Sequence, residues 1–97
     1  MTTAERDNNR IVITFPQRVD TAYCQENEKA ILGSAGQGCR GVDFDLRGVE
    51  YVCSAFLRIC MQVLKLVGKD RFRITGCSPG LRKVFKIACY DGLMIIE

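Results

Sequence analysis

The stretch EYVCSAFLRICMQV, residues 50–63, joins a strand-like pattern to a helix-like one. Its first part ends in Tyr51 and Val52, and a long apolar run follows. Placed on a helix, this run presents one apolar face formed by Phe56, Ile59, Cys60, Val63, Leu64 and Val67. Spacings of three and four residues predict an amphipathic helix over residues 54–67, which Gly68 ends.

The opposite side of this predicted helix carries a polar stripe. Its members are Ser54, Arg58, Gln62, Lys65 and Lys69. Leu57 and Met61 lie at the margin of the stripe. A serine just before a long apolar helix is a favoured N-cap, so the spacing by itself predicts that Ser54 caps the helix.

The chain upstream of this segment reads as one strand and one helix. Residues 10–15 are rich in β-branched side chains, which predicts a strand. Asp20 and Thr21 are placed to cap a helix that runs to about Leu32. The glycine-rich sequence GSAGQG, residues 33–38, is expected to close that helix and form a loop.

The remaining pattern alternates between strands and helices. Further strands are predicted at residues 42–47, 49–52, 72–75 and 94–96. Ser78 is placed to cap a short helix, with Pro79 in its first position. This alternation predicts an α/β fold, a mixed sheet of about four strands packed with three main helices.

Length and composition limit the class of protein. The chain has 97 residues, 47% of them hydrophobic and 26% charged, which predicts one folded domain. Residues 1–9 are polar and are expected to form a frayed or weakly paired lead-in. The net charge of +3 is too small to indicate a nucleic-acid partner. No stretch is long and apolar enough for membrane insertion, and the N-terminus lacks a signal-peptide core, so a cytoplasmic protein is expected.

The cysteines and the absence of histidine exclude several kinds of site. Six cysteines lie at positions 24, 39, 53, 60, 77 and 89 without any C-x-x-C pair. In a chain without a secretion signal, these are expected to be reduced and mostly buried thiols. Without histidine or paired-ligand spacing, neither a metal site nor a histidine-based catalytic triad is expected. An enzyme without histidine would have to rely on carboxylates, lysine or a lone thiolate.

Three segments, taken in order, resemble a STAS domain. They are ITFPQRVDTA at 13–22, DLRGVEYVCSAFL at 45–57, and RITGCSPGLRKVFKIACYDGLMII at 73–96. STAS domains include anti-sigma factor antagonists, stressosome subunits and the cytoplasmic domains of sulfate transporters. The resemblance covers nearly the whole chain and implies a STAS-like single domain, with a compact sheet packed against helices.

The motif that carries function in this family is altered here. The family pattern has Asp-Leu-Ser-Gly-Val and then Asp-Ser-[Ser/Thr]-Gly-Leu, which opens a helix. Residues 45–49 match the first motif with Arg47 in place of serine, and residues 53–57 read Cys-Ser-Ala-Phe-Leu. The serine that is the phosphoacceptor in many members falls on Ser54. Cys53 replaces the aspartate and cannot supply its charge reliably, while Phe56 replaces the glycine.

The resemblance also implies a surface for binding a protein partner. Its candidate residues are Asp20, Thr21, Cys53, Ser54, Phe56, Leu57, Arg58 and Met61. Several have a second interpretation that the sequence leaves open. Asp20 is equally well placed as a plain helix cap, Phe56 is either core or a surface anchor, and Cys53 is either a small buried residue or a reactive thiol.

The resemblance leads to one expected function and two alternatives. The expected function is that of a STAS regulatory protein that is not an enzyme and needs no cofactor. It binds an anti-sigma factor kinase, or another regulatory or transporter subunit, and is switched by phosphorylation of Ser54. The first alternative is a non-phosphorylated interaction subunit of a lipid-transport ABC system or of a stressosome-like scaffold. The second is a thiol redox sensor that uses Cys53.

Overall fold

The computed structural model describes residues 3–7, 10–35, 41–88, 90, 92–93 and 95–97. The chain forms, in order, β1 Thr3–Asp7, β2 Arg10–Thr14, β3 Arg18–Val19, α1 Thr21–Ala35, β4 Gly41–Asp45, β5 Tyr51–Val52, α2 Ser54–Val67, a 3₁₀ turn Lys69–Arg71, β6 Phe72–Thr75, α3 Pro79–Ile87 and β7 Ile95–Ile96. The predicted glycines 36 and 38, Met94, and the cysteines at 39 and 89 lie outside the described residues.

The main sheet has the strand order β1-β2-β4-β6-β7. The pairs β2–β4, β4–β6 and β6–β7 are parallel, and β1 pairs with β2 in the antiparallel direction. Parallel neighbours need a crossover, and α1, α2 and α3 supply the three crossovers in turn. The predicted mixed α/β domain with three main helices is therefore confirmed, with one strand more in this sheet than the predicted four.

The beginning of the chain differs from the prediction. Residues 1–9 were expected to be frayed or weakly paired, but Thr3–Asp7 pairs with β2 at all five positions, from Thr3↔Thr14 to Asp7↔Arg10. The two strands are close in sequence, so bringing them together costs little entropy. The pairing satisfies backbone groups that would otherwise be open along the edge of β2.

A second, two-stranded sheet positions the helices. β3 pairs with β5 in parallel, with Arg18 opposite Tyr51 and Val19 opposite Val52. The sequence suggested a strand at 49–52 but gave no sign of its partner. Because α1 follows β3 directly and α2 follows β5 directly, this pairing sets the first residues of both helices side by side.

The core lies between one face of the main sheet and the helices. Its largest fully buried side chains include Phe44, Phe56, Phe72 and Phe85. α2 has the predicted bounds and buries Phe56, Ile59, Cys60 and Val63, four of the six residues predicted for its apolar face. Gly68, with φ of 90°, ends the helix as predicted.

α1 is longer than the sequence suggested. It was expected to close at Leu32, with Gly33 beginning the loop, but it continues to Ala35. Ile31 and Ala35 are both buried, at 1% and 2% exposure, so packing holds the last turn. That burial offsets the penalty of about 0.5–1 kcal/mol for a glycine inside a helix.

The other face of the sheet carries an ionic cluster. Asp43 of β4 accepts hydrogen bonds from Arg10 of β2, at 2.6 Å from Nη2 to Oδ1, and from Arg73 of β6, at 2.8 Å from Nη2 to Oδ2. β4 was predicted to be half-buried, but all five of its residues are buried. The predicted alternation is present, but arginines pair with the aspartates on the face that it assigned to solvent: Arg10 and Arg73 with Asp43, and Arg47 with Asp45.

Candidate functional site

Two helix N-termini meet at the end of the small β3–β5 sheet. Asp20 caps α1, because its Oδ1 accepts a hydrogen bond from the Tyr23 amide at 2.9 Å and its carbonyl accepts one from Cys24 at 3.0 Å. Asp20 is half-buried and Thr21 is exposed. Asp20 therefore has the structural role that the sequence offered as one of its two interpretations, and it lies beside the start of α2 in the sheet register.

The N-cap of α2 is Cys53, and the prediction that Ser54 caps this helix is wrong. Cys53 has extended backbone angles, φ −109° and ψ 174°, and its carbonyl accepts from the amides of Phe56 at 3.1 Å and Leu57 at 3.3 Å. The helix thus begins at Ser54, one residue earlier than it would if Ser54 were the N-cap. Ser54 is the first helical residue and is exposed to solvent. Among the described residues, nothing hydrogen-bonds its hydroxyl.

The thiol of Cys53 lies in a polarising environment. Burial raises its pKa, but the amides of Phe56 and Ala55, the hydroxyl of Thr21 and the thiol of Cys24 together lower it below the ordinary value. No thiol–amide contact has the geometry of a capping hydrogen bond. We therefore attribute the effect of the amides to their orientation toward the sulfur at the positive end of the helix dipole.

A second thiol touches the first. The sulfur atoms of Cys24 and Cys53 are 3.8 Å apart, and both residues are buried. Burial, together with the neighbouring Cys53, raises the pKa of the Cys24 thiol to about 12. The sequence gave no signal for this contact, since 29 positions separate the two residues. Only the β3–β5 register brings them together.

Phe56 is part of the core and is not available to a partner. Its side chain is 0% exposed, and its ring centroid lies 5.2 Å from that of Phe15 and 5.9 Å from that of Phe44. The prediction of Phe56 as a partner-contact residue is therefore wrong, and the alternative of a core residue is correct. Cys53 is only 9% exposed, so most of its side chain is also withdrawn from the surface.

The other candidates on α2 lie at or near the surface. Ser54 and Arg58 are exposed, while Leu57 and Met61 are half-buried. These four positions follow the spacing i, i+3, i+4, i+7 and so share one side of the helix. We call them the α2 stripe. The expectation that Leu57 and Met61 mark the margin of a solvent face agrees with their intermediate burial.

The first family motif forms a turn held by its arginine. Arg47, which takes the place of the family's serine, donates to Asp45 from Nη2 at 2.9 Å and from its own amide at 3.0 Å. Hydrogen bonds from Arg47 lower the pKa of Asp45 more than burial raises it. Burial likewise raises the pKa of Asp43, but the hydrogen bonds from its two arginine partners outweigh it and lower the pKa. Both carboxylates are thus ionised and committed to arginines.

Several solved structures resemble this chain over almost its whole length. An anti-sigma factor antagonist (STAS) domain protein from Planctomyces limnophilus matches with a TM-score of 0.87 and 23% identity, covering 98% of this chain and 87% of its own. The chain has the STAS fold. An anti-sigma factor antagonist from Mycobacterium paratuberculosis gives a TM-score of 0.88 at 21% identity, covering 99% of this chain and 83% of its own. The Bacillus cell-fate determinant SpoIIAA in its phosphorylated form gives a TM-score of 0.75 at 16% identity, covering 100% of this chain and 91% of its own.

The comparisons by sequence add no further identification. No protein-family model matches the chain, and no curated protein sequence matches it significantly. At these identities the structural matches establish the STAS fold. Among the described residues, no helix combines the length and apolarity that crossing a bilayer needs.

Proposed function

We propose that this protein is a non-enzymatic, cytoplasmic STAS regulatory protein that binds a protein partner through Asp20, Thr21 and the α2 stripe. Phosphorylation of Ser54 by a kinase of the anti-sigma type switches this binding. One observation carries the proposal. The serine aligned with the family's phosphoacceptor is exposed, has a free hydroxyl and stands at the first position of a helix.

A phosphate on Ser54 suits this position physically. The first amides of a helix have no partner within the helix, and together with the dipole they favour an anion. Arg58 lies one turn along the same side of α2, and its guanidinium is exposed and free to swing toward the phosphate. Because Ser54 points away from the core, the modification leaves the fold intact. It changes the charge and bulk that a partner meets.

Phosphorylation is tested directly with the purified chain, a serine kinase of the anti-sigma type and ATP. Intact mass spectrometry counts the added phosphates, and a tryptic digest locates them. The peptide of residues 48–58 contains only Tyr51 and Ser54 as hydroxyl residues. We expect one phosphate on this peptide, at Ser54, and none on the Ser54→Ala variant.

A matched control is available in the Ser78→Ala variant. Ser78 is also an exposed serine at the start of a helix, where it accepts a hydrogen bond from the Leu81 amide at 3.2 Å. Ser78→Ala should be phosphorylated like the wild type. If Ser54→Ala takes up phosphate as fast as the wild type, the proposed switch is wrong, although partner binding through the same surface remains to be measured.

A second candidate function is that of a non-phosphorylated STAS interaction subunit, of a lipid-transport ABC system or a stressosome-like scaffold. Two observations favour it. Cys53 stands where the family has its aspartate, and half-buried Leu57 and Met61 give the stripe an apolar part. Capture of partners on the immobilised chain separates the two functions. Capture of a transporter ATPase by the wild type, but not by the Arg58→Glu variant, favours the non-phosphorylated interaction subunit. Capture of a kinase or a sigma regulator favours the phosphorylated regulatory protein.

A further inference from the structure

The thiols of Cys24 and Cys53 are in contact where α1 and α2 begin. Both are free, and their sulfur atoms are 3.8 Å apart. A disulfide bond is about 2.05 Å long, so closure needs an approach of less than about 2 Å. We propose that hydroperoxides oxidise this pair to a reversible disulfide between Cys24 and Cys53, which makes the start of α2 a site of redox modification.

Cys53 is the residue that reacts first. It is the more exposed of the two, at 9% against 2% for Cys24, and it borders the exposed residues Thr21 and Ser54. The amides at the start of α2 and the hydroxyl of Thr21 favour its thiolate, which is the reactive form of a cysteine. A hydroperoxide is a small oxidant, so it can react with a side chain of which only 9% is exposed.

The other described cysteines lack the combination of partial exposure and a favoured thiolate. Cys60 is 0% exposed, and its burial raises its pKa well above the ordinary value. Cys77 is half-buried, and burial raises its pKa to about 11. Neither presents an accessible thiolate near neutral pH. Within the described part of the chain, this singles out Cys53 as the attacking thiol.

The chemistry balances with a hydroperoxide as the only oxidant. The Cys53 thiolate attacks the terminal oxygen of ROOH, the O–O bond breaks, and the products are the Cys53 sulfenic acid and RO⁻, which takes up a proton to become ROH. The Cys24 sulfur then attacks the Cys53 sulfur and the S–O bond breaks. The departing hydroxide takes the Cys24 proton and leaves as water. Overall, two thiols lose two electrons and two protons, and the peroxide is reduced to ROH and water.

The first step prepares Cys24 for the second. In the reduced protein, burial raises the Cys24 pKa most, and the hydrogen bond and charge of Cys53 raise it further. Conversion of Cys53 to a neutral sulfenic acid removes the negative charge opposite Cys24. The resolving thiol therefore becomes easier to deprotonate only after the attacking thiol has reacted, which orders the two steps.

The cross-link would change the candidate switch beside it. It ties the N-cap of α2 covalently to the first turn of α1, so the first turn of α2 can open less readily. This consequence rests on the proposed function, since a kinase that acts on Ser54 needs access to the chain around it. We expect the oxidised protein to be phosphorylated more slowly than the reduced protein. The cross-link itself does not depend on that function.

The experiment uses the full chain, fully reduced, freed of reductant and titrated with hydrogen peroxide. Remaining thiols are blocked with iodoacetamide, and the protein is digested with trypsin without reduction. Cys24 lies alone in the peptide of residues 19–29 and Cys53 alone in that of residues 48–58, so a linked pair is assigned without ambiguity. We expect this linked pair to appear with the loss of two alkylatable thiols, and dithiothreitol to reverse both changes.

Variants separate the two steps. In Cys24→Ser, the sulfenic acid on Cys53 should persist and be trapped by dimedone on the peptide of residues 48–58. In Cys53→Ser, neither the linked peptides nor a dimedone adduct on Cys24 should form. Cys77→Ser, the matched control, removes a half-buried thiol and should link as the wild type does. Circular dichroism of each variant checks its fold.

The wild-type digest decides the proposal without any variant. Peroxide treatment that leaves both peptides separately alkylated overturns it. So does a disulfide that joins any other pair of cysteines, or oxidation of Cys53 that ends in sulfinic acid without a linked form. Unchanged phosphorylation of the cross-linked protein overturns only the proposed consequence for Ser54, and an unphosphorylated reduced protein bears only on the proposed function.

Discussion

Replacing Phe56 by alanine should destabilise the protein strongly, although this position lies in the first turn of the helix that carries the candidate site. The side chain is 0% exposed and packs edge-on against Phe15 and at a tilt against Phe44. Truncating a buried phenylalanine to alanine costs about 3–5 kcal/mol, from lost burial and the cavity left behind. A domain of this size has a total stability of about 5–15 kcal/mol, so the variant should retain a marginal fold.

Urea unfolding followed by circular dichroism measures this loss. With a slope of about 1–3 kcal/mol per molar urea, a loss of about 4 kcal/mol lowers the midpoint by at least about 1.3 M. Leu66→Ala is the matched control on the same helix, since Leu66 is 57% exposed, and it should change stability by less than about 0.5 kcal/mol. A loss below about 1 kcal/mol in Phe56→Ala would refute its role as a core residue. Phe56→Gly should lose about 1 kcal/mol more through helix propensity.

Four further predictions concern Asp43, Gly76, Gly33 and Cys53. The pKa of Asp43 is lowered in the folded state, so its contribution to stability is present above its unfolded pKa of about 3.9 and is lost as pH falls through the folded pKa. Urea midpoints measured between neutral and acid pH should therefore fall less steeply in Asp43→Asn than in the wild type. Gly76→Ala should cost about 2 kcal/mol in urea unfolding, because Gly76 has φ of 71° and an added Cβ would lie 2.4 Å from Cγ of Arg47. Gly33→Ala should instead gain about 0.5–1 kcal/mol, since it is helical and has open space around it, and equal effects of the two changes would contradict this reasoning. Cys53→Asp should abolish the peroxide-dependent cross-link and speed phosphorylation of Ser54, and an unchanged rate in the kinase assay would show that the family's aspartate is not what limits it.

The helices were predictable because their signals are local. The bounds and apolar face of α2 follow from the three- and four-residue spacing of apolar side chains within residues 54–67, and the packing of the helix agrees with it. The cap of α3 is equally local, since Ser78 and Pro79 are neighbours with defined roles at a helix start. The predicted N-cap of α2, Ser54, is wrong by one residue, since Cys53 is the N-cap. Spacing alone does not distinguish the N-cap from the first helical position when Cys53 precedes the serine.

The strands that build the site were not predictable in the same way. A strand was predicted at residues 49–52, which include β5, but β3 has only two residues, too few to show an alternation. The pairing of the two strands depends on contacts across the chain, which the local sequence does not show. β1 is polar, and its pairing with β2 depends on backbone hydrogen bonds that leave no pattern in the side chains. The burial of Asp43 also escaped the pattern, because it depends on arginines from two other strands.

The environment of Cys53 follows from both its local sequence and the pairing of distant strands. The sequence shows that a thiol has replaced a carboxylate at the start of α2, and the β3–β5 register shows what lies opposite it. A carboxylate at this position would carry a permanent charge beside Ser54, whereas a thiol carries a charge only when deprotonated and loses it on oxidation. Because the Cys24 sulfur lies 3.8 Å from that of Cys53, the thiol at this position can also form a disulfide, which an aspartate cannot. Under the proposed cross-link, the change from the family pattern replaces a fixed charge at the start of α2 with a group whose charge depends on its oxidation state.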